Sequence, residues 1–370
     1  MEVGRIITYF MLFFSLIGAA DRVLGCRFGP GRNFEKGFEA AGALILAMIG
    51  PIALAPLIGS SLAPILSPTL GKLGIDPSVI AGLFLANDSG GWPLALALAD
   101  DAEVGCLAGS VMGSTMGCAL MFAFPVGFAL TPTEKRPFLA KGLAIGLITV
   151  PLACFVSGLC FGIGLGVLLL NLLPLILLAL FFAAGLLFFE RVTVRIVTIM
   201  GAILTGILTV ALAAAIVIKA LRLDAPALGT FDEGILIIGE IVIFLSGAFT
   251  LLWFLERILG KSLGRLGKKA RMDEASVMGL ITSSVNAFPT FGMMRNMNGR
   301  GIVVNAAYIV PASFVFGDHL AFQLTVDVTT VLPFLVGKLA GGGAAIILAV
   351  LMTRSSKSSV AACARDESKR

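Results

Sequence analysis

Runs of about 20 apolar residues, the length a helix needs to cross the hydrocarbon layer of a bilayer, recur along the chain between short polar stretches. They fall near 5–20, 37–57, 78–99, 105–130, 141–163 and 166–189, and again near 195–220, 234–256, 275–297, 300–322 and 330–352. The pattern predicts an all-α polytopic membrane protein of about 10–11 spans. The first run has the form of a secretory signal, since Arg5 precedes an apolar stretch that closes on Gly18-Ala19-Ala20. It is read as a span because the second half of the chain repeats it.

The repetition shows in residues that lipid does not demand. Phe34, Gly37, Gly42 and Gly50 match Phe231, Gly234, Gly239 and Gly247, each 197 residues on, and Asp76 and Gly82-Leu83 match Asp273 and Gly279-Leu280 at the same offset. Arg5-Ile6-Ile7-Thr8 resembles Arg195-Ile196-Val197-Thr198, and Pro137-Phe138-Leu139 recurs as Pro333-Phe334-Leu335. Two internal repeats of about five hydrophobic segments each are expected, at 5–165 and 195–353, with a linking transmembrane segment at 166–194 and a polar, disordered tail at 354–370. Duplicated halves are common in secondary transporters, whose substrate site lies between the repeats near the midplane.

The third segment of each repeat is interrupted. Asn87-Asp88-Ser89-Gly90-Gly91-Trp92-Pro93 breaks the first, and Thr282-Ser283-Ser284-Val285-Asn286-Ala287-Phe288-Pro289 its counterpart. Proline removes a donor and paired glycines loosen a helix, so carbonyls and amides are freed to face a ligand. A carboxylate at the middle of a span costs on the order of 3 kcal/mol unless it is paired or wetted, which marks Asp88 as functional. Ser283 and Thr282 have a plainer explanation, since such hydroxyls often bond their own helix. A third patch, Phe314 to Gln323, holds the only histidine of the chain in the pair Asp318-His319, while its apolar counterpart at 122–130 has neither group. Such a pair can relay protons or bind a cation, or it can be an interfacial loop. Asp100, Asp101 and Glu103 read as a solvated span end or as an entrance that concentrates cations.

Composition agrees with the membrane class: 58% of the 370 residues are hydrophobic, 13% are charged, and the mean hydropathy is +1.02. The net charge of +5 comes from Lys and Arg between the apolar runs, where they orient spans, so nucleic-acid binding is not expected. Cys26, Cys106, Cys118, Cys154, Cys160 and Cys363 form no CxxC pair, and neither a metal site nor a cofactor is expected. The stretch Arg257 to Arg271 is read as a cytoplasmic loop. Eleven plain spans make the repeats parallel; if the broken third segments turn back without crossing, the repeats are inverted, which the basic loop at 21–36 favours. No sequence feature fixes the oligomeric state, and a homodimer remains open.

Ala86-Asn87-Asp88-Ser89-Gly90-Gly91-Trp92-Pro93-Leu94-Ala95, Asn286-Ala287-Phe288-Pro289 and Gly317-Asp318-His319-Leu320-Ala321-Phe322 together resemble the ethanolamine permease family of bacterial ethanolamine utilisation, over nearly the whole chain. That family more usually has Met and Tyr at the positions of Ser89 and Trp92, a departure that keeps an aromatic in place and bears on the pocket's size and polarity. The resemblance implies a multi-pass protein of the bacterial inner membrane that takes ethanolamine into the cytoplasm. Protonated ethanolamine has three ammonium donors at one end and a hydroxyl at the other. Asp88 is the expected counter-ion, Trp92 or Phe288 the cation–π wall, and Asn87, Asn286 and Ser89 the hydroxyl partners. Coupling is left open by the residues: the inside-negative potential allows simple facilitated diffusion of the cation, and proton coupling through Asp318 and His319 is the competing form.

The competing class is a membrane-embedded enzyme acting on a small amino alcohol or lipid headgroup. Its usual signatures are missing: there is no HExxH or GxSxG, and Gly260-Lys261-Ser262 lacks the P-loop glycine, with Leu255 in its place. A transporter is expected, not an enzyme.

Overall fold

The computed structural model describes residues 2–269 and 271–353, and among them every regular element is helical. The chain opens with α1 (Glu2–Val23), α2 (Pro30–Glu39) and α3 (Ala41–Gly71), followed by the broken pair α4 (Ser78–Phe84) and α5 (Trp92–Leu98). α6 (Ala102–Leu107) passes through π-helical turns at Ala108–Gly117 and Ala119–Ala123 into α7 (Phe124–Leu130). Four long helices come next: α8 (Arg136–Cys160), α9 (Leu165–Phe188), α10 (Glu190–Leu221) and α11 (Phe231–Lys269). A second broken pair, α12 (Glu274–Val285) and α13 (Ala287–Met293), leads to α14 (Gly299–Ala312), α15 (Asp318–Val326) and α16 (Val331–Met352). Among the described residues, eight helical stretches are long and apolar enough to cross a membrane.

The centre of the bundle is built by close approach of backbones. On α8, Gly142 lies against Val303 and Ala306 of α14, and Gly146 against Ala307 and Val310. Gly341 of α16 meets Ala153 of α8 and Pro311 of α14. Without a hydrophobic force between helices in lipid, packing of this kind is the main attraction available. The outer faces are apolar: Ile196, Ile199, Ile203, Ile207 and Val210 of α10 are all at least half exposed. Such a stripe is stable against acyl chains and costly in water.

Three expectations need correction. The basic stretch 257–271 is not a loop: α11 continues through Lys269, because Leu, Ile, Lys and Arg are good helix formers and no proline interrupts them. The expected loop 21–36 is also largely helical, with α1 running to Val23 and α2 opening on Pro30, a residue suited to a first helical turn. The single span expected at 300–322 ends at Ala312. Ser313 is extended, Phe314 is left-handed, and the amides of Phe314 and Phe316 donate to the carbonyls of Ser283 and Ser284. The run is apolar enough for one helix, but pairing with the broken end of α12 stabilises the alternative. The disordered tail expected at 354–370 lies outside the described residues.

Two carboxylates tie the broken pairs to the helices after them. Asp76 accepts the amides of Ser78, Asp100 and Asp101, while Asp273 accepts those of Ser276 and Asn298. Asp101 and Asn298 then cap α6 and α14 by accepting from Val104 and Gly301. Asp76 and Asp273, like Asp101 and Asn298, stand 197 residues apart. The acidic run at 100–103 therefore has structural duties: besides its amide bond, Asp100 accepts the Ser67 hydroxyl.

Partial burial alone would raise the Asp273 carboxyl, but the Asn298 amide and the hydroxyl and amide of Ser276 outweigh it and hold the group below its ordinary value of 3.8. A depressed native value stabilises the fold above the unfolded value, and that contribution disappears as pH falls through the native one. Asp273→Ala is expected to cost about 1–2 kcal/mol at neutral pH and to lower the melting temperature in detergent. The gap to the wild type should close as the pH drops below about 4; a gap unchanged at pH 3 would contradict this role.

Candidate functional site

The break between α4 and α5 is dictated by its sequence. Leu85 and Ala86 are extended, Ser89 leaves the helical region, and Gly90 has φ +97°, a conformation that favours glycine. The amides of Ser89 and Gly91 both turn back to the Ala86 carbonyl, at 3.0 and 2.8 Å. Gly90 packs against Pro51 of α3, so a methyl group there would strike the ring as well as strain the backbone. The turn thus holds Asn87, Asp88 and Ser89 inside the bundle. Asn87 is completely buried, and neither its amide oxygen nor its amide nitrogen has a protein partner.

Titratable groups from two other elements, α15 and α16, converge on this turn. His319 Nε2 lies 4.0 Å from Asp88 Oδ2, with side-chain exposures of 3% and 15%. On its other side, His319 Nδ1 is 3.2 Å from Lys338 Nζ of α16, which donates to the Ser114 carbonyl at 2.8 Å. Lys338 is fully enclosed. Facing an ammonium, Nδ1 is the natural acceptor, which leaves the imidazole proton on Nε2, directed at Asp88. The Ser89 hydroxyl donates to Asp88 Oδ1 at 3.2 Å. Asp318 stands next to His319 at the start of α15, within electrostatic reach of Asp88, and its Oδ1 is enclosed without a protein partner. The site therefore presents two carboxylates, one lysine, one bridging imidazole and an uncommitted amide in an apolar interior.

The other residues marked by the sequence lie as follows. Phe288 at the start of α13 is 38% exposed; its ring meets Phe122 at 6.4 Å and Phe314 at 5.9 Å, and Phe314 lies 4.8 Å from the His319 ring. This aromatic row connects the second broken pair to the charged cluster. The side-chain oxygen of Asn286 accepts the Phe288 amide and so caps α13. Trp92 is 7% exposed and packs with Met48, Ile49, Ile241 and Phe322. Among the described residues no group of His, Cys, Asp and Glu is arranged to hold a metal ion.

Lys338 escaped the sequence reading. The span that carries it has a mean hydropathy of 2.1 despite its charge, so a search for apolar runs passes over it. The available signal was a cation in the middle of a span, which is as costly as Asp88 and marks a partner in the same way.

Residues 3–352 match the family model described as "Ethanolamine utilisation protein, EutH". The chain is 37% identical over 353 residues to a probable ethanolamine permease EutH of Listeria monocytogenes, with 95% of each covered. It is 35% identical over 391 residues to a probable ethanolamine permease EutH of Escherichia coli, covering 95% of this chain and 96% of that one. An uncharacterized protein YxeR of Bacillus subtilis is 36% identical over 354 residues, with 95% and 96% covered. No solved structure matches the chain.

The turn makes its own prediction. Gly90→Ala should destabilise the purified protein by about 1–3 kcal/mol through left-handed strain and the clash with Pro51. Gly42→Ala, in α3 with open space around it, should be neutral or slightly stabilising. Equal melting temperatures for the two variants would show that the turn is not held as described.

Proposed function

The chain belongs to the EutH family of ethanolamine utilisation proteins, and on that premise we propose that it is a permease carrying protonated ethanolamine across the bacterial inner membrane into the cytoplasm. The observation that carries this reading is the broken segment at 87–91, which holds a buried carboxylate beside an amide with both polar atoms unpartnered. Buried polar atoms are nearly always satisfied, so an amide free at both ends beside a carboxylate suits a ligand with an ammonium and a hydroxyl.

In this reading Asp88 is the counter-ion of the ammonium. Asn87 and Ser89 serve the hydroxyl, since the amide of Asn87 offers both a donor and an acceptor. Phe288, partly exposed within the aromatic row, offers a ring face to the cation along its path. Trp92 and Asn286 shape the two breaks from behind, and their substitution tests whether either touches substrate. The inside-negative potential favours entry of a cation by about 2.3 kcal/mol per 100 mV, which suffices for inward accumulation without a second ion. Proton coupling through Asp318 and His319 is the competing form.

Two measurements test the proposal. Proteoliposomes holding the wild type should accumulate labelled ethanolamine under an inside-negative potential, and Asp88→Asn should reduce influx by about 100-fold, the equivalent of roughly 3 kcal/mol. Chemical conversion of the amine without accumulation would favour an embedded enzyme, and undiminished influx by a folded Asp88→Asn would end the counter-ion assignment. His319→Gln, assayed over a pH series, should alter the pH profile of influx if protons pass through the pair. An unchanged profile would leave facilitated diffusion.

A further inference from the structure

The cluster holds a cationic side chain of its own: Lys338 is buried on the far side of His319 from Asp88, the carboxylate proposed to receive the ammonium. Lys338 Nζ meets the Ser114 carbonyl, His319 Nδ1 and, at 5.4 Å, the Phe334 ring of its own helix. The thiols of Cys118 and Cys154 are its other titratable neighbours. Beyond the imidazole, 4.0 Å from its Nε2, stands Asp88 Oδ2. Asp318, the second carboxylate, keeps an oxygen without a protein partner. Two carboxylates against one ammonium leave a single formal negative charge in an interior where unbalanced charge is expensive.

We propose that Lys338 is a resident cation of the translocation site: a tethered ammonium that balances one of the two carboxylates, so that one monovalent ammonium, and no dication, completes the charge. The inference rests on the transport reading for what enters, and it adds a specificity residue that substrate need not touch. A ligand with two ammonium groups would bring one positive charge too many. The aminoalcohol brings one, with its hydroxyl left for Asn87.

The test is equilibrium binding to the purified protein in detergent, with ethanolamine as the monocation and 1,3-diaminopropane as the dication. The wild type should prefer the monocation. Lys338→Gln, which leaves two carboxylates unbalanced, should shift the affinity ratio toward the diamine by roughly tenfold or more. The double variant Lys338→Gln with Asp318→Asn keeps the Asp88 counter-ion, restores a single negative charge and should restore the monocation preference. An unchanged ratio in Lys338→Gln would overturn the proposal, as would a wild type that binds neither amine. If Lys338→Gln does not fold, the double variant decides: recovery of a folded, monocation-preferring protein supports the resident cation, and no recovery overturns it. Ethanolamine influx by wild-type vesicles is read alongside. No influx, with the binding ratio shifted as expected, would overturn the transport reading and leave the resident cation standing.

Discussion

A helix broken inside an apolar interior releases carbonyls and amides that water cannot reach, and each one left unpaired costs several kcal/mol. This constraint shapes the middle of the protein. At the first break the amides of Ser89 and Gly91 share the Ala86 carbonyl, and the Ala86 amide turns to the sulfur of Met121. At the second, the carbonyls of Ser283 and Ser284 accept the amides of Phe314 and Phe316 in the turn before α15. That pairing stops α14 short and delivers Asp318 and His319 to the cluster around Asp88. The backbone repair and the assembly of the charged site are thus one event.

The charges follow the same logic. A lone carboxylate at this depth would be neutralised or expelled; Asp88 is instead held opposite His319, whose far nitrogen meets Lys338. Each partner comes from a different element, so the cluster also cross-links α15, α16 and the turn at 87–91. Removing one member of such a cluster leaves a polar or charged neighbour uncompensated in the interior, which is costly. The stability of the core and the electrostatics of the site therefore depend on the same side chains.

The helical membrane architecture was legible because twenty-residue apolar runs leave a chain few alternatives, and the two breaks were legible because Gly-Gly-Trp-Pro and Asn-Ala-Phe-Pro cannot continue a helix in the usual way. Asp88 and His319 stood out as polar residues in apolar surroundings, and they meet in space. The break after Ala312 was not legible, since Phe314-Val315-Phe316 is as apolar as any span and only pairing with α12 holds it in a turn. Lys338 was hidden by averaging, one charge diluted in 22 helical residues. The helical course of 257–269 is hidden because a basic stretch between apolar runs has the form of a loop, whereas Lys and Arg are good helix formers.

The central claim is that a cation is received at Asp88, within electrostatic reach of Asp318. Carboxylates of this kind react with a hydrophobic carbodiimide from within the membrane, and the extent at each position can be read by mass spectrometry of the digested protein. The account predicts that ethanolamine slows modification of Asp88 and Asp318 while leaving Asp76, which holds only backbone amides, unaffected. Equal labelling of Asp88 and Asp318 with and without ethanolamine, in protein that binds the amine, would contradict it.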